Sequence, residues 1–294
     1  MRLGEILDGS FNIFRRHFGL FMRLSLILVW LPTAAGIYLN LRFSNRPFEF
    51  LSLFQDRLGS TIGLSLLFLV VSIACGLLLR AGTIRVISDS YLGQEPELGA
   101  SLRFGIAKII PLLLVALSKT LLLILLGLVS GLVVFLLGFM GRMVGPGIAG
   151  LLIFIGSVGA TWFVIWVMCA YAVTTPVVVL EDLPSSFDAF SRSWELTRDG
   201  RLKVFGTVVV TFLIAYAVPQ MVISFFAAAV GFSRGGDDSL QPLLVVIASL
   251  ISIVLAPIMP CAITLLYYDL RVRREAFDLQ VLSEQLGTGI TETP

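Results

Sequence analysis

Charge is scarce in this sequence: 14% of its 294 residues are Asp, Glu, Lys or Arg, against roughly 25% in soluble domains. Twenty-one basic and 19 acidic side chains are too few to cover a soluble globule of this length, so most of the exterior is expected to face hydrocarbon. Histidine occurs once, at His17, and cysteine three times, at Cys75, Cys169 and Cys261. The cysteines sit in apolar runs with no C-x-x-C spacing and no neighbouring histidine, which argues against a disulfide framework and against a zinc site. They read as small buried apolar residues. A net charge of +2, with basic residues scattered between apolar blocks, excludes the concentrated positive surface that nucleic acid requires. No cofactor motif survives inspection in context.

Apolar length is what the chain has instead. Hydrophobic residues make up 57% of it and the mean hydropathy is +0.96. About 20 mainly apolar residues cross roughly 30 Å of hydrocarbon, and six segments qualify, approximately 20–40, 60–79, 109–137, 148–174, 204–230 and 242–268. SLILVWLPTAA at 25–35 imitates a signal-peptide core, but Glu5 and Asp8 lie in the long stretch before it, so it is expected to be the first span. The expected fold is an all-α integral membrane protein, a single polytopic domain over 1–282 followed by a flexible tail at 283–294.

Basic residues at span ends stay preferentially on the cytoplasmic side. The N-terminal segment, the second loop, the fourth loop and the C-terminal segment carry 14 of them, whereas the opposite side has five, Arg42, Arg46, Arg57, Arg142 and Arg234. Both termini are therefore expected in the cytoplasm, with the chain in the cytoplasmic membrane.

The inward segments have structure of their own. Leu3, Leu7, Phe11, Phe14 and Phe18 recur at helical spacing, with Glu5, Asp8, Asn12, Arg15 and Arg16 opposite, the pattern of a helix lying in the membrane interface. The fourth loop repeats it: Pro184 and Ser185 to Asp188 resemble a capping box, Phe187, Phe190 and Trp194 share a side, and Gly200 is a stop. Asp188 is placed to pair with Arg192. A weaker version, LGASLRFGIAKII, precedes the third span, which points to three repeated units of amphipathic helix plus two-span hairpin. In LLYYDLRVRREAFDL, at 265–279, Tyr267 and Tyr268 are expected at headgroup level. Asp269 with Arg273, Arg271 with Glu275, and Arg274 with Asp278 stand at i, i+4, a helix leaving the membrane over 269–282.

Three patches, GEILDGSFNIFRRHFG, EDLPSSFDAFSRSWELTRDGRLKVFG and LLYYDLRVRREAFDLQ, resemble the bacterial family known as the membrane domain of glycerophosphoryl diester phosphodiesterase. They cover about a fifth of the chain; the spans between match only in hydropathy. The resemblance implies a multi-helix membrane module, found alone or fused to a phosphodiesterase barrel, with a poorly defined activity of its own. Such a barrel needs catalytic histidines, a metal-binding carboxylate cluster and about 250 residues of alternating strand and helix. None of these is legible in this sequence.

Weaker motifs divide between functional and structural readings. GPGIAG at 145–150 matches G-x-G-x-x-G in form but follows no strand, and reads as a tight turn that Pro146 suits. His17 reads as an interfacial histidine rather than a general base, and the cytoplasmic carboxylates as ion-paired rather than metal-binding. Arg23 and Lys119 stand within apolar blocks. Arg23 is near a span end and can snorkel, whereas Lys119 is either an interior polar site or an interfacial residue of a shifted span. Pro219, Pro257 and Pro260 interrupt the last two spans, with Gln220 beside the first break; they are simple kinks or they open carbonyls to a cavity. Gly127 and Gly131 form a GxxxG suited to close helix packing.

These features favour a non-catalytic membrane scaffold or accessory subunit, with lipid and membrane or cytoplasmic proteins as partners. The alternative is a transporter or lipid-handling channel lined by Lys119, Gln220, Pro219, Pro257 and Pro260. A membrane-embedded enzyme ranks third, because no nucleophile–base set or paired carboxylates fall within a span. Substrate, partner identity and oligomeric state are not written in the sequence.

Overall fold

Helices joined by turns and short irregular connections, with no strand, make up the described chain, residues 3–43, 58–217 and 241–275 together with six positions between 220 and 228, in a computed structural model. We number the helices α1 Leu3–Arg16, α2 Phe18–Phe43, α3 Leu58–Tyr91, α4 Leu98–Ala107, α5 Ile109–Val144, α6 Pro146–Ala170, α7 Thr174–Leu180, α8 Asp188–Thr197, α9 Arg201–Phe212, α10 Gln241–Leu255 and α11 Ile258–Glu275. Four helical stretches are long and apolar enough to cross a membrane, Leu66–Tyr91, Ile109–Val144, Pro146–Leu180 and Val246–Arg274. A fifth arises if Asp188–Thr197 and Arg201–Ala217, bent by 102°, count as one broken span; Phe18–Trp30 is apolar but shorter. The expected tail at 283–294, and the pairing of Arg274 with Asp278, lie outside the described residues.

The chain divides into two compact units. The first comprises Met1–Ile109 and Gly206–Leu265, the second Ile110–Phe205 and Leu266–Pro294.

In the first unit, α1 is amphipathic as its spacing predicts, but the face that meets protein is turned. Ile6 and Ser10 are buried, while Phe11 and Phe18 stay exposed. Gly9 explains the approach: a Cβ there would stand 3.3 Å from Leu265 Cδ1. Phe14 packs edge-on to Phe18 at 5.5 Å and stacks on Phe21 at 5.8 Å, so the aromatic ridge carries on from α1 into α2. His17 forms the turn between them, and its Nε2 lies 3.1 Å from Ser90 Oγ. The partner that the sequence did not disclose is 73 residues away.

The helix expected to stop near residue 79 runs on to Tyr91. Thr83, Ile84, Val86, Ile87, Ser88 and Asp89 are buried, so packing continues the helix beyond its apolar run. Arg85 closes an i, i+4 ion pair with Asp89 at 3.0 Å and lies 5.1 Å over the Phe104 ring of α4. Gly93, at φ 73°, ends the helix; Gln94 N–H donates to the Asp89 carbonyl at 2.8 Å and Gly93 N–H to that of Ser90 at 3.3 Å. This is a Schellman cap, which glycine makes without steric strain. Leu24, Leu28 and Leu79 then form a core against which Leu78, Leu98 and Leu102 pack.

The last span bends where Pro257 predicted. A turn at Ala256 and Pro257 separates α10 from α11. Backbone groups at the break find partners: Cys261 N–H donates to the Pro257 carbonyl at 3.0 Å, and Thr264 Oγ1 to the Pro260 carbonyl at 2.7 Å. Pro257 is buried and Pro260 half-buried. Residues 213–217 form a π-helical turn just before Pro219, which lies outside the described residues. Gln220 is helical and exposed.

Within the second unit, α5 and α6 form a long hairpin joined by Gly145 alone, with Pro146 at the first helical position, where its missing N–H is harmless. Only 6% of the apolar window of each span is buried. Such extensive apolar exposure fits a hydrocarbon surrounding better than water. The close packing expected of Gly127 and Gly131 is not made there: both are exposed, and a Cβ on either would meet nothing within 4 Å. It occurs further along, where a Cβ on Gly141 would stand 2.6 Å from Ala149 Cα and one on Gly138 2.8 Å from Ile153. The two helices stay in contact from four to about eleven residues either side of the one-residue turn, at Gly141 and Ala149 and at Gly156 and Val134, whereas Gly131 and Gly127, 14 and 18 residues from it, are beyond the contact.

Candidate functional site

The end of α6 is where polar groups gather in the second unit. A helix leaves its last carbonyls unpaired and carries partial negative charge there. Lys119, the apolar-block lysine, donates from Nζ to the Tyr171 carbonyl at 2.8 Å, and Thr174 Oγ1 donates to the same oxygen at 2.8 Å. The Ala170 carbonyl accepts from Ser193 Oγ at 2.8 Å and from Thr197 Oγ1 at 3.2 Å. Lys119 is thus a cation placed on a helix C-terminus, and neither of the two cavities described below includes it among its lining residues.

Helix α8 supplies Ser193 and Thr197. In the turn before it, Ser185 Oγ accepts from Phe187 N–H at 3.3 Å and the Asp188 carboxylate accepts from Ser185 N–H at 3.2 Å. The N-cap is Phe187, which makes no side-chain cap bond, so only the return half of the expected capping box forms. Asp188 is engaged by that bond. Arg192, expected to pair with it, instead reaches Glu181 at 3.1 Å and Glu195 at 3.5 Å.

From Glu181 a chain of bonds crosses to α11. The Tyr267 hydroxyl donates to Glu181 Oε1 at 2.8 Å and accepts from Arg271 Nη1 at 2.9 Å. Asp269, 4% exposed, takes ion pairs from Lys203 and, at 3.2 Å, from Arg273. Asp199 pairs with Arg274. Two of the three quoted sequence patches are thereby fastened together by charge. Tyr267 and Tyr268, expected among headgroups, are 0% and 5% exposed in protein, because the hydroxyl of Tyr267 is consumed by this network. Asp269 pairs with Arg273 at i, i+4, while the side chain of Glu275, expected to pair with Arg271, lies outside the described residues.

The opposite side of α8 is aromatic. Trp194 is half-buried and meets Trp166 edge-on at 5.4 Å; Tyr171 packs on Phe190 at 5.3 Å and on Trp194 at 6.0 Å. Arg201, the first residue of α9, lies between the two indoles, its Cζ 3.7 Å from the Trp166 centroid and 4.2 Å from that of Trp194. Its Nε and Nη1 are buried and donate to no acceptor among the described residues. Arg201 also lines a cavity of about 260 Å³ with Trp162, Ile165, Trp166, Cys169, Leu202 and Phe205. A second, of about 360 Å³, adjoins it through Trp162 and Ile165 and extends past Thr161, Val158 and Ser157 to Phe154. Both are overwhelmingly apolar.

The expected polar residues do not form one cluster within a unit. Lys119 belongs to the second unit, whereas Gln220, Pro257 and Pro260 belong to the first. Arg23 is exposed on α2. No group of three or more metal-ligating side chains occurs among the described residues. Arg201, Tyr171 and Glu181 escaped sequence reasoning as site residues, because their partners are 35, 52 and 86 positions distant. The tryptophans flanking a basic residue were the available signal.

No curated protein and no solved structure matches the chain significantly. Residues 13–270 do match a family. With well over half of its length matched, the α5–α6 hairpin included, the chain belongs to the family described as Domain of unknown function (DUF7847).

Proposed function

We propose that this protein is a non-catalytic scaffold or accessory subunit of the cytoplasmic membrane. In this reading six spans cross the bilayer, counting α2 and the α9 segment with the four longest, and both termini and the amphipathic helices face the cytoplasm. The threefold repeat, and kinship with the membrane domain of glycerophosphoryl diester phosphodiesterases, belong to the same proposal. Its partners are lipid and other membrane or cytoplasmic proteins.

The observation that carries the reading is the position of Lys119. An ammonium in an apolar block is the best transport candidate in this chain, yet it is engaged by the Tyr171 carbonyl as a helix-end partner. Arg192, Glu181, Lys203 and Asp269 are likewise engaged by one another or by Tyr267 rather than held open for a ligand.

The test is Lys119→Met in a strain lacking the gene, scored by rescue of any null phenotype. A scaffold keeps rescue, with stability in detergent reduced by about 1 kcal/mol for the lost hydrogen bond. A transporter or channel built around this ammonium loses rescue although the protein inserts and accumulates normally, and that outcome would replace the scaffold reading.

A further inference from the structure

We propose that the second unit binds one anionic phospholipid, its phosphate on Arg201 and an acyl chain along the groove of α6. Trp162, Ile165, Trp166 and Cys169 follow the i, i+3, i+4, i+7 rule and form one helical face. Against it stand Arg201, Leu202 and Phe205 of α9. The two adjoining cavities follow α6 from Cys169 to Phe154, about 22 Å at 1.5 Å per residue. The groove is therefore long, narrow in chemistry and apolar, with its cation confined to one end.

That polarity specifies the occupant. Two indole faces stabilise the guanidinium as a cation, but they cannot accept the hydrogen bonds of Nε and Nη1, which find none elsewhere in the described structure. Leaving buried charged donors unpaired is costly. A phosphate diester oxygen pair matches a guanidinium edge in shape and charge. A free anion would satisfy the arginine and leave the apolar groove open, whereas a neutral lipid would fill the groove and leave the arginine's charge uncompensated. A phospholipid of net negative charge does both. Trp162 and Trp166, 61% and 39% exposed, are of the residue type that favours the headgroup boundary.

The proposal rests on the chain being in a bilayer and not on its being a scaffold, so its failure leaves the Lys119 result untouched. Native mass spectrometry of the full chain in detergent, with phosphatidylglycerol or phosphatidylcholine of identical acyl chains, measures retained lipid. Wild type is expected to retain phosphatidylglycerol about tenfold more than phosphatidylcholine, the scale of a hydrogen-bonded charge pair. Arg201→Gln should abolish the preference and Arg201→Lys should keep part of it. Leu202 is 80% exposed, so Leu202→Glu leaves the packing intact and sets a carboxylate at the mouth; it should lower phosphatidylglycerol retention alone, and it decides the matter if Arg201→Gln does not accumulate. Equal retention of both lipids by wild type overturns the proposal, as does a preference that survives both Arg201→Gln and Leu202→Glu. Displacement of the lipid by soluble glycerol phosphate would assign the site to a free phosphate ester instead.

Discussion

Burial and the neighbouring Arg16 cation hold the His17 imidazole below its ordinary value of 6.5. A base with a lowered folded value is bound by protons more readily when unfolded. Its contribution to stability is complete above about 6.5 and is lost as pH falls from there toward the folded value. The thermal midpoint of the detergent-solubilised protein should therefore drop on acidification from about pH 7 to below 6, and His17→Asn should drop less. An identical pH response in the two proteins would show that the contact with Ser90 carries no linkage. The residue scale is also where Lys119 and Arg201 part company. Both are cations among apolar neighbours, but one is bonded to a carbonyl and the other retains unpaired donors.

The α5–α6 hairpin is governed by where small residues fall relative to its turn. Gly141→Leu drives side-chain atoms into the backbone of Ala149, 2.6 Å from the first added carbon, and should destabilise the protein by roughly 1–3 kcal/mol. Gly131→Leu, with nothing within 4 Å, should be neutral or slightly stabilising, because leucine outranks glycine in a helix by up to about 1 kcal/mol. Detergent thermal unfolding of the two variants checks this directly. Equal loss in both would place an unseen partner over Gly131. The GxxxG spacing by itself does not distinguish these sites: it identifies surfaces that permit approach, and the one-residue turn at Gly145 selects which of them is used.

For the whole molecule, the unequal sharing of basic residues between the two sides predicts that a reporter fused after residue 190 is cytoplasmic and one fused after residue 50 is not. Alkaline phosphatase and fluorescent-protein fusions at both sites measure it. The reverse pattern would invert the topology, and both fusions on one side would remove a span from the count of six. The contacts of α11 with Glu181 and with Lys203 of α9 then fall outside the hydrocarbon, where partly exposed pairs such as Asp199 with Arg274 contribute little individually.

Local chemistry, read along the chain, was enough for the all-helical class, the long apolar helices that suit a membrane, the turn at Gly145 and Pro146, and the proline bend near 257. Each depends on residues within one or two helical turns, so periodicity, capping geometry and apolar length determine it without reference to the rest of the molecule. Tertiary structure alone decided that α3 continues to Tyr91, that Tyr267 is buried by Glu181, that Lys119 ends on the Tyr171 carbonyl and that Arg201 rests between Trp166 and Trp194. Those outcomes join residues separated by dozens of positions. Whether a cation becomes a helix cap or an unpaired donor beside an apolar groove depends on which distant backbone packing brings within hydrogen-bond reach, and no spacing rule encodes that distance.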